Sequence, residues 1–258
     1  MRIATYNIWN DDRGGEARRG QLAEEILTAG ADVIGLQEVA PEVFRDRLAG
    51  LYPHAAFRAY AGEDEGLAVL SRFPIREVAW LHEMQECGGS AGLHVLLEAG
   101  DRRISVMNLH LPWDSVLERE RQIVAMDRFA REQEADVHVL LGDINGSLNS
   151  SVHRFLLGEQ SLLGSEACPC WYELSSTYAA LHGLPLQPTL DFLHNPRWGG
   201  RNSTEIPFAA DRIYALRGQS EDTLRHVSLF GTAVSPESGY AASDHYGLLA
   251  DIQFQALL

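Results

Sequence analysis

Short apolar segments with alternating side chains dominate this chain and predict more strands than helices. Side chains two residues apart share one face of a strand, and β-branched and aromatic residues favour that conformation. The pattern predicts strands at residues 2–8, 32–37, 66–71, 75–82, 92–98, 103–111, 137–141, 210–216, 223–229 and 246–254. These strands do not alternate regularly with helices. We therefore expect two packed mixed sheets with helices outside, an α/β sandwich, rather than a doubly wound sheet.

Apolar residues at helical spacing predict three helices, at residues 16–29, 41–51 and 116–134. The third has the clearest start, because Ser115 and Glu118 form a capping-box pattern. Residues 158–202 are rich in turn-forming and aromatic side chains. This segment predicts long surface loops with short helices, of the kind that shape a substrate cleft.

Several apolar strand stripes have a polar side chain at one end. The stripe of residues 34 and 36 leads to Glu38, that of 104 and 106 to Asn108 and His110, and that of 137–141 to Asp143, while Asp211 begins a fourth. If these groups meet at one rim of the core, they form a polar pocket over an apolar floor. The alternative for any one strand is that a polar residue simply marks its end.

The residue types in this set indicate phosphoester chemistry. Carboxylate and amide oxygens suit Mg²⁺ or Mn²⁺ better than Zn²⁺, and the set contains no thiolate. The oxygen donors are Asn7, Glu38, Asp143, Asn145 and Asp244. His110 and His245 supply groups that transfer protons near neutral pH. A hard cation beside a histidine and a carboxylate is a combination that activates water and holds a phosphate.

Seven segments carry a resemblance to a known family, in that family's order. They are TYNIW at 5–9, GLQEV at 35–39, GLAVLSRFP at 66–74, NLHL at 108–111, GDIN at 142–145, ADRI at 210–213 and SDH at 243–245. Through them the sequence resembles the endonuclease/exonuclease/phosphatase superfamily, the metal-dependent phosphoesterases related to pancreatic deoxyribonuclease. The resemblance implies one domain over residues 1–258, folded as a four-layered α/β sandwich, and a Mg²⁺ cofactor, with Mn²⁺ as an alternative.

The resemblance also implies a role for each matching oxygen donor. Glu38 corresponds to the main metal ligand, Asn7 to the amide beside it, and Asp244 to a residue near the metal. Asp143 and Asn145 correspond to the pair that orients the attacking water or the leaving group and the phosphate oxygen.

The histidines and their partners match further family positions. His245 corresponds to the general base or phosphate-polarising histidine, and Asp211 to the carboxylate that orients it. His110 corresponds to a residue that steadies the phosphate or protonates the leaving oxygen. Glu65 resembles an acidic residue that orients a site histidine, and a solvated acidic turn is the equal alternative.

Three further residues are candidates for substrate contact. Arg197 and Arg201 flank a tryptophan in the loop before Asp211, where a phosphate or a planar group could be held. Trp113 follows the His110 strand and either lines the cleft or packs in a loop. Family members often carry a basic residue near the phosphate in the stretch that reads GGSAGLH here, where His94 is the one candidate substitute.

Charge and composition narrow the functional classes. The chain has 21 Lys plus Arg, all of them Arg, against 36 Asp plus Glu, for a net charge of −15. The absence of lysine excludes Schiff-base chemistry, and the negative charge does not favour a nucleic-acid partner. Three cysteines make a poor disulfide framework. No apolar run approaches a membrane span and no secretory signal is evident, so we expect a cytoplasmic protein, with a secreted mature form as the alternative.

Three functional hypotheses follow, and the oligomeric state is left open. The first is a divalent-metal-dependent phosphoesterase that hydrolyses a small-molecule or lipid-type phosphomono- or diester. The second is a DNA or RNA nuclease that uses the same site. The third, a catalytically silent binding protein, is disfavoured because every matching catalytic position keeps its functional residue.

Overall fold

Two six-stranded sheets form the centre of the molecule, seen in a computed structural model that describes residues 1–81, 92–199, 205–216 and 223–253. The first sheet has the order β11-β12-β1-β2-β4-β3. Its strands are β1 (Arg2–Asn7), β2 (Val33–Gln37), β3 (His54–Ala59), β4 (Gly66–Ser71), β11 (Thr223–Phe230) and β12 (Gly247–Gln253). Strands β1 and β2 are parallel and the other neighbours are antiparallel, so this sheet is mixed.

The second sheet has the order β5-β6-β7-β8-β10-β9 and is also mixed, since only β7 and β8 run parallel among its neighbouring pairs. Its strands are β5 (Ile75–Leu81), β6 (Gly92–Ala99), β7 (Arg102–His110), β8 (Val137–Asp143), β9 (Trp171–Glu173) and β10 (Asp211–Leu216). The register places His110, Asp143 and Asp211 side by side across three neighbouring strands.

Helices cover the outer faces of both sheets. Helix α1 (Gly15–Ala29) buries Leu22 and Ile26 against the first sheet. Helices α3 (Val116–Glu132) and α4 (Ser151–Leu156) bury apolar side chains against the second sheet. A third apolar cluster fills the space between the sheets. The predicted four-layered α/β sandwich is therefore confirmed, and Ser115 caps α3 as expected, accepting a hydrogen bond from the Glu118 N–H.

Four elements escaped the sequence analysis, and one helix differs from its prediction. The sequence pattern did not predict β3, β9, α4 or α5 (Leu174–His182) as defined elements. Strand β3 is an edge strand with one buried residue of six, so its apolar pattern is weak. The predicted helix at 41–51 is a single α-helical turn, α2 (Pro41–Val43), that continues as a π-helical turn, Phe44–Leu48. The predicted strand ends His82 and Phe254 lie outside the described residues.

A buried amide links the two sheets close to their shared edge. Asn108 on β7 donates from Nδ2 to the carbonyls of Leu36 (3.0 Å) and Ala68 (2.9 Å) in the opposite sheet. Its Oδ1 accepts from Gln37 Nε2 at 2.6 Å. This close approach needs glycine at position 35, because a Cβ there would lie 2.9 Å from the Asn108 amide and 2.2 Å from a leucine methyl. Asn108 therefore fixes the separation of the sheets beneath the rim.

Within the described residues, no helix is both long and apolar enough to cross a membrane.

Candidate active site

Polar side chains from both sheets meet at the edge where the parallel strands end. Asn7 closes β1, His110 closes β7, Asp143 closes β8, and Asp211 opens the antiparallel β10. Glu38, Asn145 and the pair Asp244–His245 lie in the loops that adjoin these strand ends. Eleven of the twelve candidate residues lie in the described part of the chain, and Arg201 lies outside it. A cleft of about 580 Å³ opens over the edge, lined in part by Glu38, Glu65, His110, Asp143, Asn145, Asp244 and His245.

Glu38 reaches this cleft through a change in backbone conformation. Alternation along β2 predicts that Glu38 shares a face with Ile34 and Leu36, and this is wrong, because those two side chains pack outward against α1. At Glu38 the backbone turns to φ +55°. The carboxylate then accepts from Asn7 Nδ2 at 2.8 Å and from the Asn10 N–H at 3.2 Å.

Asp143 is the centre of the polar cluster. Its Oδ2 accepts from Asn7 Nδ2 at 3.1 Å, while its Oδ1 accepts from the Asn145 N–H at 2.9 Å. The Nε2 atoms of His110 and His245 approach the same Oδ2 at 3.6 and 3.8 Å. These two separations exceed a direct hydrogen bond, so both imidazoles face the carboxylate across a short gap.

His245 is held by a buried carboxylate. Its Nδ1 lies 2.8 Å from Asp211 Oδ2, which leaves Nε2 directed at the cleft. Thr189 Oγ1 accepts from the Ala210 and Asp211 N–H groups and so fixes the start of β10. Burial alone would lower the pKa of His245, but the charges of Asp211 and Asp143 outweigh it and raise that pKa well above its usual value.

The Asp244 carboxyl is buried beside other acids. Burial raises the pKa of Asp244 to about 6, and the charge of Glu38 adds to the effect while His245 and Arg197 oppose it. Burying several carboxylates together is costly unless a cation balances them. The cluster therefore has the electrostatics of a cation site.

The donor chemistry also fits a hard divalent cation. Ligand atoms of Asp143, Asp211 and His245 lie within 4.8 Å of one another, and Asp211 Oδ1 is buried with no hydrogen-bond partner among the described residues. Glu38 and Asp244 add further carboxylate oxygens at the same cleft. Asn7 turns its NH₂ group toward Glu38 and Asp143, while its Oδ1 accepts from the Trp9 N–H at 3.1 Å. Asn7 thus organises the carboxylates, and its role as a direct ligand stays a prediction.

Two of the substrate-contact candidates line the cleft, whereas Arg197 is not among the residues that line it. Trp113 lines it and is 79% exposed, and Glu65 lines it as well. The Arg197 guanidinium carbon lies 5.4 Å from the ring centre of Trp9 and 4.8 Å from that of Trp198. Sequence reasoning missed an apolar wall on the far side, formed by Leu190, Phe192, Trp198 and Phe208. Its residues come from a segment without regular periodicity, so only the turn-rich and aromatic composition gave a signal.

Two other expectations are wrong. Asn108 is fully buried between the sheets and does not lie at the rim. His94 does not replace a basic residue at the phosphate: it is buried on the outer face of β6, where its Nε2 lies 2.9 Å from Ser105 Oγ and its ring packs edge-on against Phe129. Strand alternation predicts which face a residue lies on, and it does not predict the depth at which it lies.

Two stacked mixed sheets with an acidic, histidine-containing cleft at their shared edge define a class of metal-dependent hydrolases that act on phosphoester bonds. The chain belongs to the Endonuclease/Exonuclease/phosphatase family, whose sequence profile matches residues 4–245. No curated protein sequence matches it significantly.

Solved structures share the fold at low sequence identity. D. rerio TDP2 complexed with single-strand DNA product is 16% identical with a TM-score of 0.77, covering 98% of both chains. The human Nocturnin catalytic domain with bound sulfate is 16% identical with a TM-score of 0.73, covering 99% of this chain and 94% of that one. An endonuclease/exonuclease/phosphatase from Bacteroides vulgatus is 15% identical with a TM-score of 0.76, covering 99% of each.

Proposed function

We propose that this protein is a Mg²⁺-dependent phosphoesterase that hydrolyses a small-molecule or lipid-type phosphate ester by in-line attack of water. One observation carries the proposal. The His245–Asp211 pair faces Asp143 across a gap of 3.8 Å, while Glu38 and Asp244 line the same cleft. A proton-transfer group, an orienting carboxylate and a cation site thus surround one space large enough for a phosphate ester.

The protein groups divide the chemistry among them. Burial disfavours the protonated form of His245, but the charges of Asp211 and Asp143 favour it, and in that form Nε2–H donates to a phosphoryl oxygen. Asp143 orients the attacking water and accepts its proton, and His110, whose Nε2 lies 3.6 Å from Asp143 Oδ2, protonates the leaving oxygen. Glu38 and Asp244 with Asn7 hold the divalent cation, which when bound supplies positive charge to the phosphate. Mn²⁺ is the alternative metal.

The lining of the cleft favours a small or lipid-type ester over a polymer. Among the described lining residues there are five carboxylates and no arginine. Such a surface repels an extended polyanion, whereas it tolerates a single phosphate neutralised by a bound cation. The opposite wall of Phe192, Trp198 and Phe208 offers apolar contact to the rest of the ester.

A nuclease is the second candidate. The observation that favours it is the structural likeness to D. rerio TDP2, which was solved with a single-strand DNA product. In that case hydrolysis of DNA or RNA should weaken steeply with added salt, because binding then depends on phosphate contacts.

A substrate panel tests the proposal. Wild-type protein and His245→Ala are compared on phosphomonoesters, bis-p-nitrophenyl phosphate, sphingomyelin, plasmid DNA and RNA, with Mg²⁺ and with Mn²⁺. We expect turnover of a small or lipid ester that falls on the order of 10²–10⁴-fold in the variant. Hydrolysis of nucleic acid alone would favour the second candidate. Absence of any hydrolysis, or equal rates for both proteins, would contradict the proposed chemistry.

A further inference from the structure

Arg18 on α1 is a buried cation outside the cleft with all five of its N–H donors occupied. It is 3% exposed, and no described carboxylate lies within salt-bridge distance of it. Each donor points at a backbone carbonyl instead. The acceptors are the carbonyls of Ile8 (3.3 Å), Trp9 (3.1 Å), Asp11, Arg13 (2.8 Å) and Ala242 (2.8 Å).

Two of these carbonyls belong to the peptide units that hold the proposed metal ligands. The unit that contains the Ile8 carbonyl also contains the Trp9 N–H, which donates to Asn7 Oδ1 at 3.1 Å. The next unit joins the Trp9 carbonyl to the Asn10 N–H, which donates to Glu38 Oε2 at 3.2 Å. A peptide unit is planar, so holding its carbonyl fixes the direction of its N–H.

A third carbonyl, that of Ala242, links Arg18 to a loop that is distant along the chain. Ala242 precedes Ser243, whose Oγ donates to the Asn7 carbonyl at 2.7 Å, and the loop continues into Asp244 and His245. Arg18 therefore fastens the end of β1 to the loop that carries His245 and one proposed ligand, Asp244.

The local backbone is shaped around this arginine. Gly14 has φ +77°, and a Cβ at that position would lie 2.8 Å from the Arg18 Cβ. The guanidinium carbon also lies 4.5 Å from the centre of the Trp9 ring. Consecutive hydrogen bonds polarise one another, so a cation on the two carbonyls strengthens the N–H donors on their far sides.

We propose that Arg18 is a positioning residue for the metal site. It acts through two peptide units to hold Asn7 and Glu38 in the orientation that binds the cation, and it joins them to the His245 loop. This inference rests on the proposed function, because it assumes that the cation binds at Glu38.

Metal affinity measures the effect directly. Mn²⁺ binding is followed by electron paramagnetic resonance and by calorimetry, without substrate, in wild type, Arg18→Gln, Arg18→Lys and Glu38→Gln. Loss of a group that orients metal ligands typically weakens binding by about 10–100-fold, and we expect Arg18→Gln to fall in that range. Arg18→Lys keeps the charge but has three donors, so its affinity should be intermediate.

Arg19 provides the matched control. It is the next residue on the same helix, and it pairs with Asp12 and Glu16 at the surface. Arg19→Gln should bind Mn²⁺ like wild type. Arg18→Ala should regain Mn²⁺ affinity in millimolar guanidinium, which can occupy the space left by the side chain, whereas a general loss of stability would not respond.

The outcomes distinguish an error in the proposed metal site from an error in the proposed role of Arg18. Equal Mn²⁺ binding by wild type and Glu38→Gln would refute the proposed metal site itself. Weaker binding by Glu38→Gln together with unchanged binding by a folded Arg18→Gln would overturn the Arg18 inference alone. The inference would also be overturned if the Gln, Lys and Ala variants of Arg18 all failed to fold and guanidinium did not restore folding. Arg18 would then be needed for stability alone.

Discussion

Replacing Asn108 with leucine tests whether the buried amide holds the two sheets at their separation. Leucine has nearly the same shape, so packing is kept while three hydrogen bonds are removed. Gln37 keeps its contact with Thr5 Oγ1 at 3.1 Å, but the carbonyls of Leu36 and Ala68 lose a buried donor. Each unsatisfied buried group costs about 1–3 kcal/mol. We therefore expect the free energy of unfolding to fall by roughly 2–6 kcal/mol.

Urea unfolding monitored by circular dichroism measures this change, with Asn149→Leu as the control because the same substitution there falls on an exposed residue. A chain of this size loses about 2–4 °C of melting temperature per kcal/mol, so the melting point should also fall clearly. Asn108→Asp should destabilise further, because its carboxylate faces the same two carbonyls. If Asn108→Leu unfolds like wild type and Asn149→Leu, the amide does not hold the sheets together and our reasoning fails.

Three further predictions concern the cation, the histidine pair and acid stability. EDTA should abolish hydrolysis and added Mg²⁺ or Mn²⁺ should restore it, so full activity after chelation would refute the metal requirement. Asp211→Asn should lower turnover on the order of 10²–10⁴-fold and lower the pKa of His245, which ¹⁵N NMR can follow, because the lost carboxylate raises that pKa. Burial lowers the pKa of His94 to about 4, so stability should fall as pH drops from about 6.5 towards 4, where the unfolded state binds a proton that the folded state does not. Between pH 7 and pH 5, the free energy of unfolding of His94→Gln should therefore fall by about 1–2 kcal/mol less than that of wild type, as measured by urea unfolding. Equal decreases would show that His94 is not the source of the acid sensitivity.

The sequence predicted those parts of the site that follow from strand periodicity. His110, Asp143 and Asp211 each continue or begin an apolar stripe, and the register places them side by side. Strand alternation places Glu38 on the wrong face, because the positive φ at that residue breaks the alternation of its neighbours. Only the GLQEV motif at residues 35–39 identified it as a site residue.

The remaining features depend on tertiary contacts. The burial of Asn108 requires a glycine at position 35 on the opposite sheet, and no local pattern connects those two residues. The apolar wall around Phe192 arises from the packing of an irregular loop against the segment that precedes β10. Arg18 looks like any other helix-surface arginine in the sequence, since the carbonyls that surround it come from loops near both ends of the chain.

The pairing of β1 with β12 has a consequence for biosynthesis. Asn7 and Ser243, joined by a hydrogen bond, are 236 positions apart, so their contact has a very high sequence separation. Contacts of this kind form late, because the intervening loop must close first. A nascent chain that has not yet released β12 from the ribosome would carry Glu38 and Asp143 without His245. On the proposed function, the site would become complete only when residues 243–245 reach the end of β1, and a chain truncated before residue 243 would lack His245.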